Sequence, residues 1–354
     1  MRIMKGFFMR SGLVFVALAA ALSANASIAE DDIALDIATA FSPYETEFTS
    51  ARCRALTGTN GAGPSDARSV IKRLKNASYE QVEAFAPQLV GIQEGLFCLG
   101  ENEDVLDLAE QLFPNKGPSA TFPHELQASF QLNAARAAMA LRKEKTARKW
   151  INQARETCPD ASSDCFVLAS YLEGKLHIVE EDYQDAVKVL QPALLASTEK
   201  ATLNQNLRRA VKSALAQAYS HDGKSQQTTM VLQDLALDLG SDANSLDIPV
   251  YATAPDYRGK TRTERAFFKY SFTVNADGTL SNINLVSSFG ARKMARHTEK
   301  ALALFRYIPS YDGANFIARD NVTFTFRFGL IEANTEHDKK ALERLQSRSY
   351  CNAC

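Results

Sequence analysis

Near residue 250 the hydrophobic pattern of this chain changes its period. From Glu30 to about Gly240, Leu and Ala recur at spacings of three and four, which marks one face of a helix. Further on, Phe268, Tyr270, Phe272 and Val274 alternate with Lys269, Ser271 and Thr273. Val322, Phe324, Phe326, Phe328 and Leu330 likewise alternate with Thr323, Thr325 and Arg327. A period of two describes strands with one buried face. A chain that switches period once is expected to fold as helices followed by a sheet, an α+β protein of two domains. Its 354 residues are enough for two cores.

The second half can be read piece by piece. Asn275-Ala276-Asp277-Gly278 is a hairpin turn, with Gly278 free to take positive φ. Leu280, Ile283 and Leu285 break strict alternation once, which predicts a bulge near Ser281-Asn282. Met294, Thr298, Ala301 and Phe305 recur at helical spacing, and Pro309 is expected to end that helix. The order is strand, hairpin, strand, helix, strand: a three-stranded antiparallel sheet covered on one face by a helix.

In order and spacing these pieces resemble the C-terminal domain of the TonB family, over residues of about 250–330. Phe272-Thr273-Val274-Asn275-Ala276-Asp277-Gly278 is similar to the family's strand end and acidic-Gly turn, and Ile283-Asn284-Leu285-Val286-Ser287-Ser288 to its second strand. Ala301-Leu302-Ala303-Leu304-Phe305-Arg306-Tyr307-Ile308-Pro309 resembles its helix end. Asp312-Gly313 and Val322-Thr323-Phe324-Thr325-Phe326-Arg327-Phe328 resemble its last turn and strand. The resemblance implies a protein-binding module of the Gram-negative periplasm. There the sheet accepts an extended peptide from an outer-membrane transporter as an added strand. It also implies that 321–330 is an edge strand. Val322, Phe324, Phe326 and Phe328 would then face the core, and Thr323, Thr325 and Arg327 would border the incoming peptide. Two departures stand out. Tyr257 is followed by Arg258 where the family carries Tyr-Pro, and the eleven prolines are scattered rather than gathered in a spacer. They argue against energy transduction across the periplasm and leave strand binding open.

Upstream, spacing points to stacked helical hairpins with a period of 34 to 40 residues. Ala147, Ile151, Ala154 and Pro159 resemble the second helix of a tetratricopeptide repeat. Further units carry Gly174, Asp182 to Ala186, Leu190 and Ala193, then Ala216, Tyr219, Leu232 and Leu235. Glu80 to Phe113 reads as a degenerate first hairpin, and Ile33, Ile37 and Phe41 mark one more amphipathic helix. Other α-solenoids and plain bundles share this spacing. The expected organisation is 1–26 signal peptide, 27–240 α-solenoid, 241–265 linker, 266–330 TonB C-terminal-like domain, and 331–354 tail.

Arg2, Lys5 and Arg10, the apolar run from Gly12 to Leu22, and Ala24-Asn25-Ala26 read as a signal peptide cleaved for export to the periplasm. The alternative is a retained inner-membrane anchor from Ser11 to Ala29. Formal net charge is −1, but Val250 to Leu330 holds 12 basic and 6 acidic residues. The helical half is correspondingly acidic. Six cysteines in an exported chain imply disulfides. Fifteen connectivities are open, and distance along the chain favours Cys158 with Cys165, Cys351 with Cys354, and Cys53 with Cys98. The last pair would close a loop of about 45 residues, worth about 4 kcal/mol on a chain-entropy account.

Catalytic patterns are missing. Gly58-Thr59-Asn60-Gly61-Ala62-Gly63 lacks the Gly-Lys-Ser/Thr ending of a phosphate loop. His124, His177, His221, His297 and His337 are scattered and form no zinc motif, and Glu180-Glu181-Asp182 reads as a solvated helix start. No enzyme activity, cofactor, metal, nucleic acid or small-molecule substrate is expected. The expected function is a periplasmic adaptor that recognises an extended peptide of an envelope or outer-membrane transport protein. The alternatives are a membrane-anchored energy transducer of TonB type and an envelope scaffold without a transport role.

Overall fold

A computed structural model of the chain describes residues 83, 86–114, 122–158, 160, 163–199, 205–246, 248–253, 255, 266–290 and 292–328. The signal segment, the helix of Ile33, Ile37 and Phe41, Cys53, the 58–63 loop, Pro159, Leu330, and the tail with Cys351 and Cys354 lie outside the described residues. The fold is α+β, with nine α-helices among the described residues and a three-stranded antiparallel sheet at the C-terminal end. Among the described residues no helix is long and apolar enough to cross a membrane.

By its contacts the chain forms two compact units that divide between Pro159 and Asp160. The first contains α1 (Ala86–Cys98), α2 (Asn102–Leu112), α3 (His124–Ala140) and α4 (Glu144–Thr157). Phe113, Phe122 and Phe130 cluster there with ring centroids 5.5 to 5.9 Å apart. The amide of Gln93 donates to the Phe130 carbonyl at 3.2 Å, which satisfies a buried polar group. Four alanines of α3 (Ala134, Ala135, Ala137 and Ala138) and Ala147, Ile151 and Ala154 of α4 are fully buried. Small side chains let those two helices approach closely.

The second unit contains α5 (Asp164–Val179), α6 (Tyr183–Glu199), α7 (Gln205–His221), α8 (Ser225–Leu239) and the whole sheet. Ser163 caps α5, accepting from the Phe166 N–H at 3.3 Å. A Cβ on Gly174 would lie 2.4 Å from Leu190 Cγ, so glycine is what lets α5 and α6 meet. Lys212 of α7 is fully buried and reaches Asp238 at 2.6 Å and Asp234 at 2.7 Å, both on α8.

One turn recurs along the helices. After α1, α3, α5 and α7 the chain turns through Gly100, Arg142, Glu181 and Gly223, with φ of 75°, 58°, 64° and 71°. At each, the next residue's N–H returns to the carbonyl five residues back: Glu101 to Leu96, Lys143 to Ala138, Asp182 to His177, and Lys224 to Tyr219. This is a Schellman closure, which satisfies helix-end carbonyls by placing one residue in the left-handed region. Two of the four positions are not glycine, so composition did not reveal it.

Of the segment expected as a linker at 241–265, the described residues 241–246, 248–253 and 255 lie in the second unit. Its start, Gly240–Ser245, is a 3-10 turn. Arg319 donates from the sheet to the carbonyls of Ala243 and Leu246, and Asn244 exchanges two bonds with the backbone of Tyr311. Residues 241–246 lack periodicity because individual polar contacts hold them, not a buried stripe. Cys98, Cys158 and Cys165 are disulfide-bonded, and Cys158–Cys165 is the expected short-loop pair.

Candidate functional site: the two edges of the sheet

The sheet holds β1 (Ala266–Val274), β2 (Leu280–Phe289) and β5 (Arg319–Phe328) in the order β2-β1-β5. A two-residue pair, β3 (Ser310–Tyr311) and β4 (Phe316–Ile317), lies before β5. β1 is central because it pairs on both sides, and its apolar face is deeply buried: Phe268, Tyr270, Phe272 and Val274 are at most 2 % exposed. The expected turn forms, with Asn275 N–H bonded to Thr279 O at 2.8 Å and Gly278 at φ 80°. A Cβ there would meet the Tyr307 carbonyl at 2.4 Å, so position 278 needs glycine twice over. The turn is also clamped by α8, through Thr229 to Asp277 O and Gln233 to Ala276 O, each at 3.2 Å.

The helix under the sheet, α9 (Arg292–Leu302), buries Met294, Thr298, Ala301 and Leu302. It ends at Leu302, well before Pro309. Phe305 is buried as expected but lies outside the helix. Past Leu302 the chain extends so that Arg306 can bridge antiparallel to Tyr251, and Tyr307 N–H can bond Gly278 O. Strand contacts stop the helix before proline does. Tyr270 hydrogen-bonds Ala295 O and Thr298 Oγ1, each at 2.8 Å. Burial raises the pKa of its phenol, and the Thr298 bond opposes that rise.

β5 lies at one edge of the sheet. Val322 and Phe326 are buried, Phe324 is half-buried, Thr323 and Arg327 are exposed, and Thr325 is half-buried. Phe324 and Phe326 pack on Phe305 with centroids 5.2 and 5.8 Å away. Phe328 pairs with Ala266 in the register. On the outer face the pairs are Thr323 with Ser271, Thr325 with Lys269, and Arg327 with Phe267. Among the described residues no strand pairs with the outer side of β5.

β2 lies at the other edge, and its weight was missed in the sequence. Its register against β1 slips in two places. One is at the expected bulge, where Asn282 takes φ 52°, and the second is at Val286. Leu285, Val286 and Phe289 are 46, 58 and 62 % exposed. Leu280 to Phe289 carries no charged residue, a signal that was available in the sequence. Three residues later α9 begins with Arg292 and Lys293, both exposed, and its first turn has no acidic residue.

Two further clusters lie on the helices of the same unit. The ligand atoms of His177, Glu180 and Asp182 lie within 4.8 Å of one another. His177 Nδ1 is 3.8 Å from Glu180 Oε2, an ion pair when the ring is protonated. His221 stacks face to face on Tyr183 at 4.4 Å and meets Tyr251 edge-on at 4.7 Å. The residue keeps an exposed edge, but burial of its ring between the tyrosines lowers its pKa below the ordinary 6.5; Glu181 opposes this and Lys175 adds to it. Comparison with protein-family models, curated proteins and solved structures gives no match to this chain.

Proposed function

We propose that this chain is a periplasmic protein-binding adaptor, not an enzyme, whose C-terminal sheet takes up an extended peptide of an envelope or outer-membrane transport protein by strand addition. The observation that carries the reading is the edge position of β5, with Thr323, Thr325 and Arg327 alternating against a fixed aromatic inner face. Main-chain hydrogen bonds from an edge give affinity, and the alternate side chains give selectivity. The ordered resemblance of 266–330 to the TonB C-terminal domain supports the assignment to this class. The recurring left-handed turn after α1, α3, α5 and α7 supports tetratricopeptide-like helical hairpins.

The test uses a photo-crosslinking residue at Thr323, and separately at Arg327, in the exported protein. Crosslinks from both sites to one short segment of one envelope protein, four residues apart in register, are the expected result. Crosslinks to unrelated surfaces, or none in protein shown to be folded, overturn strand addition at β5. Thr325→Pro, which deletes one main-chain donor from β5, is expected to reduce the crosslinks while the helical domain keeps its circular dichroism.

A further inference from the structure

We infer that the opposite edge of the sheet, β2 with the first turn of α9, is a second docking site, for an extended peptide that alternates acidic and apolar residues. Edge strands are templates for pairing, and proteins protect them with charges, prolines or cover. β2 has no charge and no proline along Leu280 to Phe289. Leu285, Val286 and Phe289 on it remain about half exposed or more. Among the described residues β2 pairs only with β1. Its two bulges break the ladder into short stretches, which suits a short partner better than open-ended stacking.

The occupant's chemistry follows from both faces of β2. On the outer face Phe289 pairs with Phe267, itself 40 % exposed, giving an apolar platform. On the inner face Leu285 pairs with Tyr270, on the side where α9 lies against the sheet. Along α9 stand Arg292, Lys293, Arg296 and Lys300, all exposed, against a single acid, Glu299. Two cations in a first turn oppose the helix dipole, so together with the dipole they favour an anion there. An added strand would turn alternate side chains to these two faces, apolar outward and acidic toward α9.

Full-length protein is titrated with a fluorescein-labelled, end-blocked nonapeptide of alternating glutamate and valine, and with its lysine-for-glutamate counterpart. Saturable binding of the glutamate peptide is expected, weakening with salt, as screening requires. Val286→Glu, which places a like charge on the edge, is expected to weaken it by at least about tenfold. The Arg292→Ala/Lys293→Ala double variant is expected to weaken it severalfold and flatten the salt dependence. Leu237→Glu, the same chemical change on an exposed site of α8, is expected to leave it unaltered. Equal binding of the lysine peptide, or no change with Val286→Glu in folded protein, overturns the proposal. So does binding to anionic phosphatidylglycerol vesicles in place of the peptide, or a concentration-dependent doubling of mass that Val286→Glu abolishes. This site does not depend on β5. Loss of β5 crosslinks with peptide binding intact refutes only the proposed function, and the reverse refutes only this inference.

Discussion

The helical hairpins and the sheet solve the same problem, a chain that must reverse or bend, in opposite ways. Among the described residues, four that are not glycine have positive φ: Arg142 and Glu181 in the helices, Asn282 and Asn321 in the sheet. In the helices the left-handed residue closes a local six-residue turn, and nearly any side chain is tolerated at a cost. In the sheet each asparagine sits where the register slips against β1, a partner far away in sequence. Asparagine reaches that region more readily than other side chains. Helical geometry here is local and repeated, whereas sheet geometry depends on distant pairing and occurs once. The comparison predicts that the sheet tolerates loss of a core side chain poorly, and that the hairpins tolerate turn changes well.

The largest expected effect is in the sheet. Phe326→Ala removes a ring packed on Phe305 and Tyr270 and is expected to cost about 3–5 kcal/mol, read by chemical denaturation. A loss below about 1 kcal/mol would mean that the aromatic face is not a close-packed core. Next comes the buried charge between α7 and α8. Asp238→Ala leaves the Lys212 ammonium, fully buried, with only the half-exposed Asp234, and is expected to cost about 3 kcal/mol. Lys212→Met, which removes the buried charge itself, is expected to cost less.

Gly174→Ala tests helix proximity. Its new methyl would overlap the branched carbon of Leu190, and the net loss is expected at about 1–3 kcal/mol despite better helix propensity. Gly95→Ala in α1, where nothing lies within 4 Å, is expected to stabilise by up to about 1 kcal/mol. Glu181→Gly is likewise expected to stabilise by about 1 kcal/mol, because glycine relieves the left-handed position. Thermal melts of Gly174→Ala and Gly95→Ala would break the comparison if the two moved stability the same way.

The smallest effect is electrostatic. His221 has its folded pKa depressed, so below pH 6.5 the unfolded chain binds a proton that the folded chain resists. Stability is therefore expected to fall as pH drops through 6.5, with the loss complete below the folded pKa. His221→Gln is expected to remove that part of the acid sensitivity, measured as midpoint shifts between pH 7.5 and 5.5.

The period switch near residue 250 by itself determined that helices precede a sheet, because burial of one face imposes 3.6 or 2 on the residues concerned. It also determined the aromatic face of β1, the Gly278 turn, and the bulge at Asn282, since each is a rule about neighbours within a few positions. The outward alternation of Thr323, Thr325 and Arg327 was legible for the same reason. Tertiary structure decided the rest. It ended α9 at Leu302 through a bridge to Tyr251, which lies far upstream. It tied 241–246 to the sheet through Arg319 and Asn244, contacts that leave no periodic trace. It made β2 an exposed edge, because whether a strand is central or marginal depends on which strand pairs beside it. Hydrophobic period is a property of one segment and can be read along the chain. An edge is a property of the sheet, fixed only when distant segments meet.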